Sequence, residues 1–251
     1  MQKDAFGFRT DNGMQRDGNE DALLLLPKYG IFAVADGVGG QNSGEIASSK
    51  AMSVIEGFLE SNPIAVADMP EGKNRETWLK NYFQRCLQKA NSEIIKEASS
   101  DPVMNRMATT LVLAFFEAES LYITNVGDSR AYLLRDGVMT QLTEDHSYVN
   151  KLINAGKLTK SEARSHPQKN IITKALGSAK NPEPDFYHFD LKEGDRLMLC
   201  TDGLHGELTD DEIAVLLKKK RTLDTICRML VDAANENGGR DNITVICVDN
   251  K

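Results

Sequence analysis

The stretch Gly30-Ile31-Phe32-Ala33-Val34-Ala35-Asp36-Gly37-Val38-Gly39-Gly40 holds the key to this chain. An apolar run ends abruptly on a carboxylate and three glycines. Asp and Gly dominate turns, so a single ending of this kind reads as the stop of a strand. The ending recurs, however. Leu121–Val126 runs into Gly127-Asp128, Arg196–Thr201 runs into Asp202-Gly203, and Asp241 directly precedes the apolar Asn242–Val248. Four apolar strands therefore carry an aspartate at one tip, and three of those tips have an adjacent glycine. Short carboxylates on rigid strand ends suit Mg²⁺ or Mn²⁺, which take oxygen ligands and retain several waters. A neighbouring glycine lets the backbone approach such an ion closely.

The surrounding pattern predicts the scaffold. Ala22–Leu26 and Ile31–Ala35, separated by Pro27 and Gly30, read as a hairpin. Ser43–Leu59 reads as a helix capped by Ser43, and Glu76–Ala98 as a longer one with the stripe Leu79, Phe83, Leu87, Ala90, Ile94 and Ala98. Strands are expected at Thr109–Phe116, Leu121–Val126, Ala131–Arg135 and Val138–Leu142, the last two joined by Asp136-Gly137, a strong hairpin signal. The polar segment 145–174, with short helices at Ser147–Ala155 and Lys160–Arg164, reads as an insertion. Strands return at Phe186–Leu191 and Arg196–Thr201, helices follow at Asp210–Lys219 and Leu223–Asn235, and Asn242–Val248 closes the chain. Grouped helices around hairpin-like strands predict an α+β layered domain with mostly antiparallel sheets, not a doubly wound parallel fold.

The 251 residues suit one large domain or two small ones, with 41% hydrophobic and 27% charged residues, an ordinary soluble globular composition. A net charge of −7 argues against general nucleic-acid binding. Cys86, Cys200, Cys227 and Cys247 are widely spaced with no CxxC pair, which predicts reduced core cysteines in a cytoplasmic protein. The sequence shows no signal peptide and no membrane span. A monomer is the default.

Arg16-Asp17-Gly18-Asn19-Glu20-Asp21 adds a guanidinium that can clamp a phosphate beside a carboxylate cluster. With this segment included, the sequence resembles the metal-dependent type 2C protein Ser/Thr phosphatases of compact bacterial type. The matching pieces are RDGNED (16–21), VADGVGG…SGEIAS (34–48), MATTLV (107–112), NVGDSRAYL (125–133), LTEDHS (142–147), NIITKALG (170–177), LCTDGL (199–204) and GGRDNITVI (238–246), in the family's order.

The resemblance implies a single catalytic domain over 1–251, a four-layer αββα sandwich flanked by helix pairs, with segment 145–174 as a flap beside the active site. It implies two or three Mn²⁺ or Mg²⁺ ions. Asp36 would bridge the two catalytic ions, Asp202 and Asp241 would complete the first ion's shell, and the Gly37 carbonyl would bind the second. Asp21 and Glu20 would hold metal-bound waters, Asp128 with Asp202 would form a third site, and Arg16 would bind phosphate. The implied activity is hydrolysis of phosphoserine and phosphothreonine in proteins by a metal-activated water, opposing a bacterial Ser/Thr kinase. Many family members carry a candidate general-acid histidine where this chain has Val38, and some bacterial members carry one at the place of Gln41. His205 is a speculative substitute.

Other readings are weaker. No histidine pair has zinc-ligand spacing. No cysteine is followed by the arginine of a cysteine-phosphatase loop. The GxGxxG fingerprint fails at Asn42. Lys218-Lys219-Lys220-Arg221 reads as a solvated helix end. The acids sit at scattered strand ends rather than in a local calcium loop. The runner-up is a catalytically silent member of the same fold that binds phosphoproteins as a regulator.

Overall fold

The computed structural model describes residues 5–39, 43–65, 69–100, 107–178 and 182–250. Gln41 lies outside them. The strands are β1 (Phe6–Asp11), β2 (Asp21–Leu26), β3 (Ile31–Val38), β4 (Ala108–Thr109), β5 (Leu111–Glu117), β6 (Ser120–Val126), β7 (Arg130–Arg135), β8 (Val138–Gln141), β9 (Asp185–Asp190), β10 (Arg196–Cys200) and β11 (Ile243–Asp249). The helices are α1 (Ser43–Ser61), α2 (Lys73–Ala98), α3 (Tyr148–Asn154), α4 (Lys160–Arg164), α5 (Asp202–His205), α6 (Asp210–Leu217) and α7 (Leu223–Glu236).

Two sheets form. One has the order β1-β11-β10-β7-β8; the other runs β2-β3-β5-β6-β9, with β4 paired to β3. All the pairings among these strands are antiparallel. The alternation of side chains along each strand gives each sheet an inner and an outer apolar face. Phe32, Val34, Val112 and Ile123 from one sheet meet Leu197, Leu199 and Ile246 from the other in the central core. Outside, the α2 stripe Leu79, Phe83, Leu87, Ala90 and Ile94 is fully buried with α1 against the second sheet. The face of α7 carrying Ile226, Leu230 and Val231 packs with α6 on the first. The result is the expected αββα layering.

The Asp-Gly hairpin also forms as expected, with positive φ at both Asp136 (50°) and Gly137 (75°). The four cysteines are free and buried. Among the described residues no helix is long and apolar enough to cross a membrane.

Four local expectations differ from the structure. Ser43 is not a cap; it is the first residue of α1, and its buried Oγ has no partner among the described residues. The strand expected over Thr109–Phe116 is broken at Thr110, because β4 pairs with Gly37 and Val38 while β5 pairs with Ile31–Val34. Asp36 lies inside β3 rather than beyond its end. Asp202 opens a short helix, α5, that four residues of sequence could not announce.

Register gathers the acids. Asp21 pairs with Asp36 across β2 and β3. Val34 pairs with Val112, and Val112 with Asn125, so the exits of β3 and β6 lie at one end. At Gly127-Asp128-Ser129 the chain leaves one sheet and enters the other at β7. There Arg130 pairs with Cys200, and Cys200 with Val245, which brings Asp202 and Asp241 to the same end.

Candidate metal centre

Asp36 sits in a corner made by hydroxyls. Its N–H donates to Thr110 Oγ1 at 3.0 Å, and its carbonyl accepts from Thr110 N (2.8 Å) and Thr109 Oγ1 (2.9 Å). Thr110 Oγ1 is in turn 2.7 Å from Ser129 Oγ, which ties β3 to the Asp128 turn. Gly37 donates its N–H to the Glu20 carbonyl at 3.0 Å. A Cβ on Gly37 would lie 2.1 Å from the Gly44 carbonyl oxygen and 2.6 Å from that of Glu20, so only glycine fits between the N-terminal segment and α1. The Glu20 carboxylate accepts from the Gly44 N–H in the first turn of α1.

The remaining acids are placed by equally specific partners. Thr201 Oγ1 donates to Asp21 Oδ2 at 2.8 Å and accepts from Thr244 N at 3.0 Å, so Asp21 is buttressed from the opposite sheet. Asn242 Oδ1 accepts from Glu20 N, while its amide donates to the carbonyls of Asn12 and Gly18, folding the N-terminal segment over the site. Asp241 Oδ1 accepts from Asn242 N at 2.9 Å, and Asp241 Oδ2 accepts from Arg16 at 2.8 Å. Thus Asp21, Asp36, Asp128, Asp202, Asp241, Glu20, Gly37 and Arg16 come together from five separate segments of chain. Thr110, Thr201 and Asn242, which position them, lay inside recognisable sequence pieces but carried no readable role.

The electrostatics are those of a crowded acid cluster. Burial first, then the charges of Asp202, Asp21 and Asp128, push the Asp36 carboxyl well above the usual range. Burial raises Asp21 to about 7, against the hydrogen bonds from Thr244 and Thr201. Asp128 and Asp202 are raised too, by burial and then by their nearest acidic neighbours. Asp36 and Asp202 meet in a side-chain hydrogen bond. Like charges this close stay protonated or recruit cations.

Two observations bear on whether a metal fits. Among the described residues, Asp21 Oδ1 and Asp202 Oδ1 are buried without a hydrogen-bond partner, as oxygens left for a ligand would be. Against that, among the described residues no group of three or more acidic, histidine or cysteine side chains converges into a finished cage. The reason is visible: Asp36 and Asp202 bond to each other, and Asp241 is turned to Arg16. An all-oxygen donor set with free lone pairs suits hard divalent ions that keep waters of their own.

Neither substitute for the missing histidine works as a general acid. Val38, 41% exposed, offers no proton. His205 is 8% exposed and its Nε2 donates to the Asp128 carbonyl at 3.0 Å. Burial, with Arg130 nearby, lowers its pKa to about 3, so the ring is neutral and already engaged.

A cavity of about 690 Å³ opens beside the cluster, lined by Asp128 and Asp202 on one wall and by Asn150, Arg164 and Lys169 of the inserted segment on the other. A larger one, about 960 Å³, lies around Tyr29 and Phe116 at the opposite end of the sandwich and has no part in this chemistry.

Fold and site together define a phosphatase of the type 2C architecture. Residues 14–243 match the family described as Protein phosphatase 2C, and the chain belongs to it. It is 40% identical to the serine/threonine phosphatase Stp of Listeria innocua over 246 residues, 96% of this chain and 94% of that one. It is 33% identical over 244 residues to the serine/threonine protein phosphatase PstP of Mycobacterium tuberculosis, covering 97% of this chain and 44% of that protein. The solved Stp1 of Staphylococcus aureus superposes with a TM-score of 0.87 at 35% identity, covering 98% of this chain and 94% of that one. A PstP catalytic domain solved with two manganese ions superposes at 0.83 with 31% identity, covering 97% and 96%. This chain is accordingly a hydrolase, a protein-serine/threonine phosphatase of a family that uses divalent metals.

Proposed function

We propose that the protein removes phosphate from phosphoserine and phosphothreonine of other proteins at the carboxylate cluster, in the cytoplasm and in opposition to a Ser/Thr kinase. The observation that carries the reading is the meeting of Asp21, Asp36, Asp202 and Asp241 beside Arg16, with buried oxygens of Asp21 and Asp202 left unpaired. Asp36, Asp202 and Asp241 would hold one Mn²⁺ or Mg²⁺. Asp36 and the Gly37 carbonyl would hold a second, and Asp128 with Asp202 a third. Bound there, such ions neutralise phosphoryl oxygens and bring a water's pKa toward neutrality.

The chain's own groups do the rest. Arg16 presents a planar fork that matches two phosphoryl oxygens, and it reaches the site from a segment that Asn242 clamps down. Asp21 and Glu20 orient water by accepting its hydrogen bonds. Neither Val38 nor His205 delivers a proton, so the leaving serine or threonine oxygen takes its proton from water. The cavity beside Asp128 and Asp202 accommodates the peptide flanking the phosphorylated residue. The silent-regulator reading is not favoured, since the relatives carry phosphatase names and every acid of the cluster is present.

The test is phosphate release from a phosphothreonine peptide with Mn²⁺, with Mg²⁺ and with EDTA, for wild type and Asp202→Asn. Metal-dependent release that the variant loses supports the reading. No release by folded, metal-loaded wild type on several phosphopeptides would return the silent-regulator alternative.

A further inference from the structure

His146 is 8% exposed and belongs to none of the groups assigned above. Its ring bridges three parts of the molecule. Nδ1 accepts the Gly127 N–H at 3.1 Å, directly before Asp128. Nε2 lies 3.2 Å from Asp185 Oδ2 on β9. Lys174 Nζ, at the exit of the inserted segment, sits 3.2 Å from the same nitrogen and donates to Asp185 Oδ1 at 3.0 Å. An Nδ1 that accepts carries no proton, so the ring is neutral and its proton is on Nε2, facing Asp185.

The geometry separates this side chain from its backbone. The Gly127 carbonyl is held by His146 N at 2.9 Å and by Asn125 Nδ2 at 3.3 Å, and both bonds are independent of the imidazole. The Gly127 N–H has only the ring. Gly127 sits at φ +109°, where a Cβ would strike Thr110 Cβ at 2.5 Å, so the residue must be glycine and has no side chain to hold the turn. The Val126–Gly127 peptide, which enters the turn one residue before Asp128, therefore has its N–H held by the ring, while the Gly127–Asp128 peptide is held through its carbonyl.

We infer that His146 is a positioning residue for the Asp128 turn: its Nδ1 acceptor fixes the Gly127 amide and so presents the Asp128 carboxylate to a divalent cation. The inference rests on the reading of Asp128 as a metal ligand. Groups that orient a ligand without touching the metal typically change its affinity by about 10- to 100-fold when removed.

Two near-isosteric variants isolate the claim. In His146→Asn the side-chain carbonyl reaches the place of Nδ1. In His146→Gln the longer amide reaches the place of Nε2 and leaves the Gly127 N–H without an acceptor. Mn²⁺ is titrated calorimetrically into metal-stripped wild type, both variants and Asp128→Asn, with unfolding midpoints recorded alongside. The expected result is that Asp128→Asn abolishes one class of Mn²⁺ site. His146→Gln should weaken that same class by about 10-fold or more, and His146→Asn should stay within a few-fold of wild type. Equal affinities in the Asn and Gln variants, or equal weakening of every class, overturns the inference. Should His146→Gln fail to fold, Asp185→Ala removes the ring's orienting acceptor instead; it must weaken the same class, and wild-type affinity there also overturns the inference. If Asp128→Asn binds Mn²⁺ as wild type does, the metal reading of Asp128 fails first, and the inference with it.

Discussion

Arg16 donates to Asp241 Oδ2 at 2.8 Å, joining two residues 225 positions apart. If Arg16 binds phosphate and Asp241 a metal, as proposed, the pair sets the two roles in competition for the same charge. Both side chains are substantially exposed, at 46% and 34%, so the bond contributes no more than about 1 kcal/mol. An ion held by Asp241 would have only this weak bond to compete with, and the guanidinium would then be available to substrate. Arg16→Ala should therefore raise KM for a phosphothreonine peptide by an order of magnitude or more while leaving Mn²⁺ affinity unchanged or up to about 5-fold tighter, the factor that 1 kcal/mol allows. Steady-state kinetics and Mn²⁺ calorimetry check both halves; weaker Mn²⁺ binding in the variant would contradict the competition.

The acid cluster sets function against stability. Asp36 is surrounded by Asp21, Asp128 and Asp202, whose charges all disfavour its ionised form. Asp36→Asn keeps the shape and removes one charge from the crowd. In EDTA the variant should unfold at a higher temperature than wild type, by a few degrees for each ~1 kcal/mol of repulsion relieved. With Mn²⁺ the order should reverse, since wild type gains binding energy that the variant lacks. Its phosphatase activity should be lost. A variant less stable than wild type in EDTA would show that the carboxylate is needed for folding.

The parts of this site that were legible in sequence are those dictated by local pattern. Apolar runs ending on Asp36, Asp128 and Asp202 are legible because hydrophobicity and turn chemistry change within two residues, although β3 itself continues to Val38. The α2 stripe is visible because 3.6-residue spacing is local too. Pairing is not local. Nothing near Thr201 indicates that its hydroxyl will meet Asp21 from the opposite sheet, and nothing near Asn242 indicates that it will hold the carbonyls of Asn12 and Gly18. His205 looked like a spare acid three residues past Asp202; only the fold shows its ring turned to the Asp128 carbonyl. The break at Thr110 was hidden for the same reason, since both halves of that segment are apolar and only their partners on β3 differ.

Thr110 links β3 to the Asp128 turn through one hydroxyl, which takes the Asp36 N–H and meets Ser129 Oγ. Thr110→Val preserves shape but leaves the Asp36 N–H and the Ser129 hydroxyl without this partner. Unsatisfied buried polar groups cost about 1–3 kcal/mol each. The variant should lose stability within that range by denaturant unfolding. Its activity should fall further than its stability predicts, because Asp36 and the Asp128 turn both lose their register. Wild-type kcat/KM in a destabilised but folded Thr110→Val would confine the hydroxyl to a structural role.

The end of the sandwich away from the acid cluster contains an ion pair of opposite character. Asp195, 2% exposed, accepts from Arg135 Nε at 2.8 Å and NH2 at 2.5 Å and from Lys192 N at 2.8 Å. Burial works against its charge, but the Arg135 bond and the Lys192 amide outweigh it and hold the carboxyl below the usual range. A depressed folded-state pKa means stability that is fully present above the unfolded value near 3.8 and is lost as pH falls through the folded value. Asp195→Asn should thus be less stable than wild type at pH 7. The loss should be about 3 kcal/mol, as when a buried pair loses one partner, and smaller to the extent that water reaches Arg135. The gap should narrow as pH drops below 4, because the wild-type carboxyl then takes up its own proton. Urea unfolding of both proteins between pH 3 and pH 8 decides it. A gap that stays constant across that range would mean that the amide repacks the corner by itself, and that charge contributes nothing there.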